Sequence, residues 1–233
     1  RLITETDNAS EQQEYLTIIN NNSDLLLQLI NDILDFAKIE SGTLNYNLSW
    51  VDLKDVCQEV YISQSLKMTS DVALLYNGDM LPSARLRTDT QRIEQVLLNL
   101  LSNAIKCTNQ GFVSLSYEVE GDFVRVSVTD TGIGIDKEKQ ASVFERFVKL
   151  DDFRQGTGLG LSICKMIIEK LGGEIGLRSE LGKGSTFWFT LPLAVPEESE
   201  KKEAGNEIPM EIIPDALPGQ YTILIAEDVL ENY

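Results

Sequence analysis

Asn99, Asn103 and Lys106 stand three and four positions apart, a spacing that puts side chains on one helix face. Two amide oxygens and an ammonium can then converge on one point. An amide oxygen is a hard ligand suited to Mg²⁺, and a lysine can neutralise phosphate charge. Capping or solvating a helix would use the same two asparagines. Further on, Asp130-Thr131-Gly132-Ile133-Gly134 follows a strand-like run. Its glycines let the backbone turn sharply, and a strand-end carboxylate can accept a hydrogen bond from an exocyclic amine such as that of adenine. Alone, the pattern reads equally as a plain turn. Gly156-Thr157-Gly158-Leu159-Gly160 leads into an apolar helix. Glycines before a helix N-terminus expose backbone N–H groups to phosphate oxygens. The Gly-Lys-Ser phosphate-loop ending is absent and no strand feeds this turn, so both common phosphate folds are disfavoured.

These residues need elements to hold them. Ile93, Val96, Leu97, Leu100, Leu101, Ala104 and Ile105 form a helical stripe over residues 92–108. Residues 113–118 and 124–129 alternate as strands around Glu120-Gly121-Asp122, a hairpin signal. Residues 173–179 and 185–191 form a second strand pair, turned at Leu181-Gly182-Lys183-Gly184, and residues 51–65 have helical periodicity. The expected fold is α+β, a two-layer sandwich in which helices cover one face of an antiparallel or mixed sheet. Ahead of it, residues 10–41 read as a long helix with a Ser10 cap, Gln13 three residues later and Gly42 just past its end. Tyr15, Ile19, Leu26, Leu29, Ile33 and Phe36 fall at alternating three- and four-residue spacing with Asn22 in the remaining slot. That is a coiled-coil seam with a polar register residue, and it calls for helical partners.

Composition removes several classes. With 20 basic and 37 acidic residues the net charge is −17, which repels nucleic-acid backbones and anionic lipid. Cys57, Cys107 and Cys164 form no close pair and no metal spacing, as expected of core cysteines in a reducing compartment. No apolar run approaches the ~20 residues a membrane helix requires. The chain contains no histidine, so any histidine chemistry needs a residue outside it. It opens on Arg1 rather than Met and reads as a piece of a longer protein.

Four motifs in order resemble those of histidine kinases. Asn99-Leu-Leu-Ser-Asn103-Ala-Ile-Lys106 resembles the N box, Asp130-Thr-Gly-Ile-Gly134 the G1 box, Phe144-Glu-Arg-Phe147 the F box, and Gly156-Thr-Gly-Leu-Gly160-Leu the G2 box. The resemblance implies an ATP site in which Asn103 holds Mg²⁺ with Asn99 supporting it, and Lys106 touches phosphate. It implies that Asp130 pairs with the adenine amine, that Gly132 and Gly134 shape that pocket, and that Gly156, Thr157, Gly158, Leu159 and Gly160 form a lid. Arg146 is expected at the terminal phosphate and Thr186 beside adenine; an exposed helix arginine and an ordinary strand threonine are the plainer readings of these two.

The flanks extend the likeness. Residues 29–42 resemble the end of the second dimerisation helix of that family, and Thr222-Ile-Leu-Ile-Ala-Glu227-Asp228 resembles the first strand of a receiver domain. The expected organisation is 1–43 dimerisation hairpin without its phosphoacceptor H box, 44–195 catalytic ATP-binding domain, 196–219 linker and 220–233 start of a receiver. The implied reaction passes the ATP γ-phosphoryl to a histidine elsewhere and then to a receiver aspartate, with a hinge at Gly42 and Thr43. Implied partners are a second copy and a receiver domain or response regulator, in the cytoplasm, with room for a membrane anchor elsewhere in the full-length protein. Alternatives are another ATPase of the same fold, a nucleotide sensor or phosphatase-biased module, and a scaffold without nucleotide. Two departures stand out: Cys107 where relatives often have Phe, and a short segment between Phe147 and Gly156.

Overall fold

In the computed structural model the described residues are 9–66, 68, 71–78, 82–148 and 158–193. The chain opens with α1 (Ala9–Glu40), followed by β1 (Ser49–Asp52), α2 (Leu53–Ser65), β2 (Val72–Leu75), β3 (Arg85–Thr88) and α3 (Thr90–Cys107). Then come β4 (Gly111–Glu120), β5 (Phe123–Asp130), α4 (Lys137–Gln140), α5 (Gly160–Lys170), β6 (Ile175–Glu180) and β7 (Gly184–Pro192). The main sheet has the order β2-β4-β5-β7-β6. Its β2–β4 pair is parallel and the others are antiparallel, so it is the expected mixed sheet. A separate β1–β3 antiparallel pair lies outside it.

Strand alternation decides which face is covered. Val113, Leu115 and Tyr117 of β4, Val124, Val126 and Val128 of β5, and Phe187, Phe189 and Leu191 of β7 are buried. They share one face because side chains repeat every two residues. Against them pack Ile93, Val96, Leu97, Leu100, Leu101 and Ala104 of α3, and Ile163, Cys164, Ile167 and Ile168 of α5. The α3 stripe inferred from spacing is thus the helix's core face. Truncating a residue such as Leu100, which has no exposed surface, would cost about 2–5 kcal/mol. The opposite sheet face is polar: Arg125 lies 4.3 Å over the Trp188 ring and pairs with Glu120 at 2.9 Å.

Cys57 and Cys164 are buried and all three cysteines are free thiols. Burial pushes the Cys57 thiol up to about 12, so it stays a protonated, inert core group. Gly42 ends α1 in a left-handed conformation (φ 69°), and the N–H groups of Thr43 and Leu44 both reach the Lys38 carbonyl at 3.0 Å. That is the glycine-dependent helix stop expected from sequence.

The last turns of α1 lie against α3 and α5. Asp32 and Ile39 are buried. Asp35 takes hydrogen bonds from Arg92 Nη1 at 3.3 Å and Gln95 Nε2 at 2.7 Å. By contrast Leu16, Ile19, Leu26, Leu27, Ile30, Ile33 and Leu34 are exposed, leaving much of the seam without a partner among the described residues. The strands β1, β2 and β3 were not foreseen, because four residues are too few to show a period. The expected linker 196–219 and receiver-like strand 220–233 lie outside the described residues.

Candidate functional site

Helix α3 starts from an Asp89 cap, whose carboxylate accepts the Arg92 N–H at 3.2 Å and the Asn47 N–H at 2.8 Å. With its apolar stripe committed to the core, the helix carries Asn99 and Asn103 half-buried and Lys106 exposed. Asn103 Nδ2 donates to Asn99 Oδ1 at 3.1 Å. This bond uses the donor end of the Asn103 amide and leaves its oxygen for a ligand. Asn99 therefore orients the Asn103 amide.

Gly160 begins α5 directly against the Asn99 amide: a Cβ at Gly160 would run into Asn99 Nδ2 and Oδ1. Any larger residue here would have to displace the Asn99 amide. Among the described residues no side chain caps this N-terminus, and a helix N-terminus presents N–H groups and a positive dipole end that suit an anion. Leu159, just before it, is buried as an anchor. Gly158 has φ 71° and its carbonyl accepts the Phe147 N–H at 2.9 Å. Phe147 is itself left-handed at φ 62° and largely exposed. Gly156 and Thr157 lie outside the described residues.

Asp130 closes β5 on the core face and is 4% exposed. Its Oδ1 accepts the Gly132 N–H at 2.8 Å, and the Ser185 backbone N–H also serves the carboxylate. Burial pushes its pKa up, and the two backbone N–H groups only partly counter that. Residues 130–135 are pinched between two walls. On one side Ile133 N–H reaches the Cys107 carbonyl at the end of α3, 3.2 Å away. On the other, Gly182 N–H donates to the Ile133 carbonyl at 2.7 Å. Gly134 adopts φ 67°, and a Cβ there would strike the Glu180 carbonyl.

Two expected site residues have other partners within the fold. Thr186 stands opposite Thr129, hydroxyl to hydroxyl at 3.0 Å, on the sheet face turned away from Asp130. The residue across from Asp130 is Ser185, which is buried. The signal was present in the sequence: Phe187, Phe189 and Leu191 alternate with Ser185, so position 185 and not 186 shares their inner face. Arg146 is the second case. Its Nη1 pairs with Glu40 Oε1 at 3.1 Å and its guanidinium lies 4.4 Å over the Phe36 ring, so it is engaged by α1. Gln140, also missed, donates through Nε2 to the carbonyls of Ile135 at 2.8 Å and Ser179 at 3.0 Å.

Known proteins match this arrangement. Residues 88–195 match the family model "Histidine kinase-, DNA gyrase B-, and HSP90-like ATPase", and residues 1–42 match "His Kinase A (phospho-acceptor) domain". The autoinducer 2 sensor kinase/phosphatase LuxQ of Vibrio vulnificus (strain YJ016) is 34% identical over 98% of this chain and 27% of its own length. Full-length ShkA, solved in complex with AMPPNP, superposes with a TM-score of 0.67 at 35% identity, covering 84% of this chain and 42% of that one. The catalytic domain of histidine kinase ThkA is 35% identical with a TM-score of 0.54, over 63% of this chain and 96% of that one. The chain spans about a quarter of the length of LuxQ and of the sensor protein GacS of Pseudomonas syringae pv. syringae.

Proposed function

This chain belongs to the histidine kinase family, and we propose that it binds Mg-ATP between α3, the 130–135 loop and the α5 N-terminus, and donates the γ-phosphoryl to a histidine. The chain has no histidine of its own, so the acceptor comes from outside these residues and a receiver aspartate takes the phosphoryl next. The observation that carries this reading is the pairing of Asn103, oriented by Asn99, with the α5 N-terminus that Gly160 brings alongside.

Phosphoryl transfer needs positioning and charge neutralisation more than covalent help. In the proposed site Asp130 takes the adenine amine, the Asn103 amide oxygen is the protein's ligand to Mg²⁺, and Lys106 and the α5 N–H groups meet phosphate. One hard protein oxygen beside ligand phosphates suits Mg²⁺, which rarely uses an all-protein cage. The ion would neutralise charge on the transferring group. Of the lid residues, Gly158, Leu159 and Gly160 supply backbone at this end.

We assign 1–43 to the dimerisation hairpin and 44–195 to the ATP domain, with a linker and receiver start following. The exposed Ile19, Leu26 and Ile33 favour a second copy of α1 as the partner of that helix. Among the described residues no helix is long and apolar enough to cross a membrane. One observation favours a second reading, a phosphatase-biased module: Arg146 is drawn to α1, and LuxQ is named both kinase and phosphatase. Labelled-phosphate transfer in the chain extended upstream separates the two. Label retained on a histidine and lost with Asn103→Ala supports the kinase; Mg-ATP binding with no label on any histidine contradicts it.

A further inference from the structure

Ser179 lies on the edge strand β6, directly opposite Ser185, and its hydroxyl has three partners. It accepts the Ile135 N–H at 2.8 Å, donates to the Gly184 carbonyl at 3.0 Å, and lies 2.9 Å from Ser185 Oγ. A serine hydroxyl has one proton. The Gly184 carbonyl can only accept and the Ile135 N–H can only donate, so with Ser179's proton given to Gly184 the bond between the serines must carry Ser185's proton. Ser185 then has only lone pairs to offer on its remaining side, next to the Asp130 carboxylate that its own backbone N–H supports.

We infer that Ser179 is a positioning residue for base selection: by holding the Ser185 proton it keeps a purely accepting edge at Asp130, which takes a 6-amino purine and rejects a 6-oxo one. The inference rests on the ATP site proposed above. Adenine presents a donor at its 6-position and guanine an acceptor. Two acceptors side by side therefore favour adenine, as a site built for one hydrogen-bonding pattern discriminates by leaving the wrong partner unpaired. Without the Ser179 hydroxyl, Ser185 can swing its proton outward and donate to a 6-oxo group.

The test measures Mg-ATP and Mg-GTP binding by calorimetry on the chain and on Ser179→Ala, Ser179→Thr and Ser185→Ala. Ser179→Ala should weaken ATP roughly fivefold, about the size of one neutral hydrogen bond, while GTP holds or improves. Ser179→Thr keeps the hydroxyl and should keep the preference. Ser185→Ala should narrow the preference to the same extent, and the double variant no further, because one serine acts through the other. Equal loss of both nucleotides in Ser179→Ala would make Ser179 merely structural and overturn this inference alone. A parent chain that binds neither nucleotide overturns it together with the site.

Discussion

The two ends of the proposed nucleotide site are built differently. At the base end, Asp130 is buried and held by two backbone N–H groups. The loop after it is tied to α3 through Cys107, to the β6–β7 turn through Gly182, to β6 through Ser179 and to α4 through Gln140. At the phosphate end, Asn103 is half-buried, Lys106 is exposed, and Arg146 is occupied by Glu40 and Phe36. Recognition of a planar base needs fixed geometry, which the fold supplies in advance. Charge neutralisation depends instead on groups that arrive with the ligand, so the phosphate end leaves polar atoms facing outward.

Substitutions can break this contrast. Asn103→Ala should have the largest effect, weakening Mg-ATP by about 100-fold or more, since losing the ligand costs at least as much as losing its outer-shell support, while adenosine binding is retained. A comparable loss of adenosine would mean the two ends are one unit. Asp130→Asn should weaken adenosine and Mg-ATP alike, by roughly 30-fold, since a charged acceptor is worth more than a neutral one.

Asp130 also gives a pH signature. Because burial raises its folded pKa, the acid form persists to a higher pH than in an unfolded aspartate. Adenosine binding, which uses the ionised form, should therefore fall as pH drops through a value above the ordinary aspartate range of about 4. Asp130→Asn should flatten that profile. Stability has the opposite sign. Between the unfolded and the raised folded pKa the native state holds the extra proton, so Asp130 makes the protein less stable as pH rises through that window.

Gly134→Ala tests the stapled loop by stability alone. A side chain at φ 67° against the Glu180 carbonyl should cost about 1–3 kcal/mol in denaturant unfolding. The smallest effect is expected for Glu40→Gln. Both partners of its ion pair with Arg146 are about half exposed, so stability should shift by less than about 1 kcal/mol. A larger shift would show that α1 is clamped to the F-box region by more than that pair and the Phe36 stacking.

Much of this was legible from residue spacing. The α3 stripe, the β4–β5 hairpin and the β6–β7 pair each repeat their period over enough residues to be unambiguous, and they are the elements that carry Asn99, Asn103 and Asp130. The short strands β1, β2 and β3 were not legible, because their existence depends on tertiary pairing rather than pattern. Thr186 was assigned by motif position when strand parity pointed to Ser185. Arg146 could not be placed from sequence, since its partners Phe36 and Glu40 are about a hundred residues away. The Ser179 and Gln140 bonds that tie down the loop likewise join segments about forty residues apart.

The central claim is that the 130–135 loop and α3 together hold one adenine nucleotide, base at one end and metal-bound phosphate at the other. Calorimetric titration of Mg-ATP and of adenosine into the parent chain, Asn103→Ala and Asp130→Asn tests it most directly. The account predicts one site for the parent, loss of Mg-ATP but not adenosine binding with Asn103→Ala, and weakened binding of both with Asp130→Asn. A parent chain giving no binding heat with Mg-ATP across temperatures, or an Asp130→Asn variant that binds both ligands as the parent does, would contradict it.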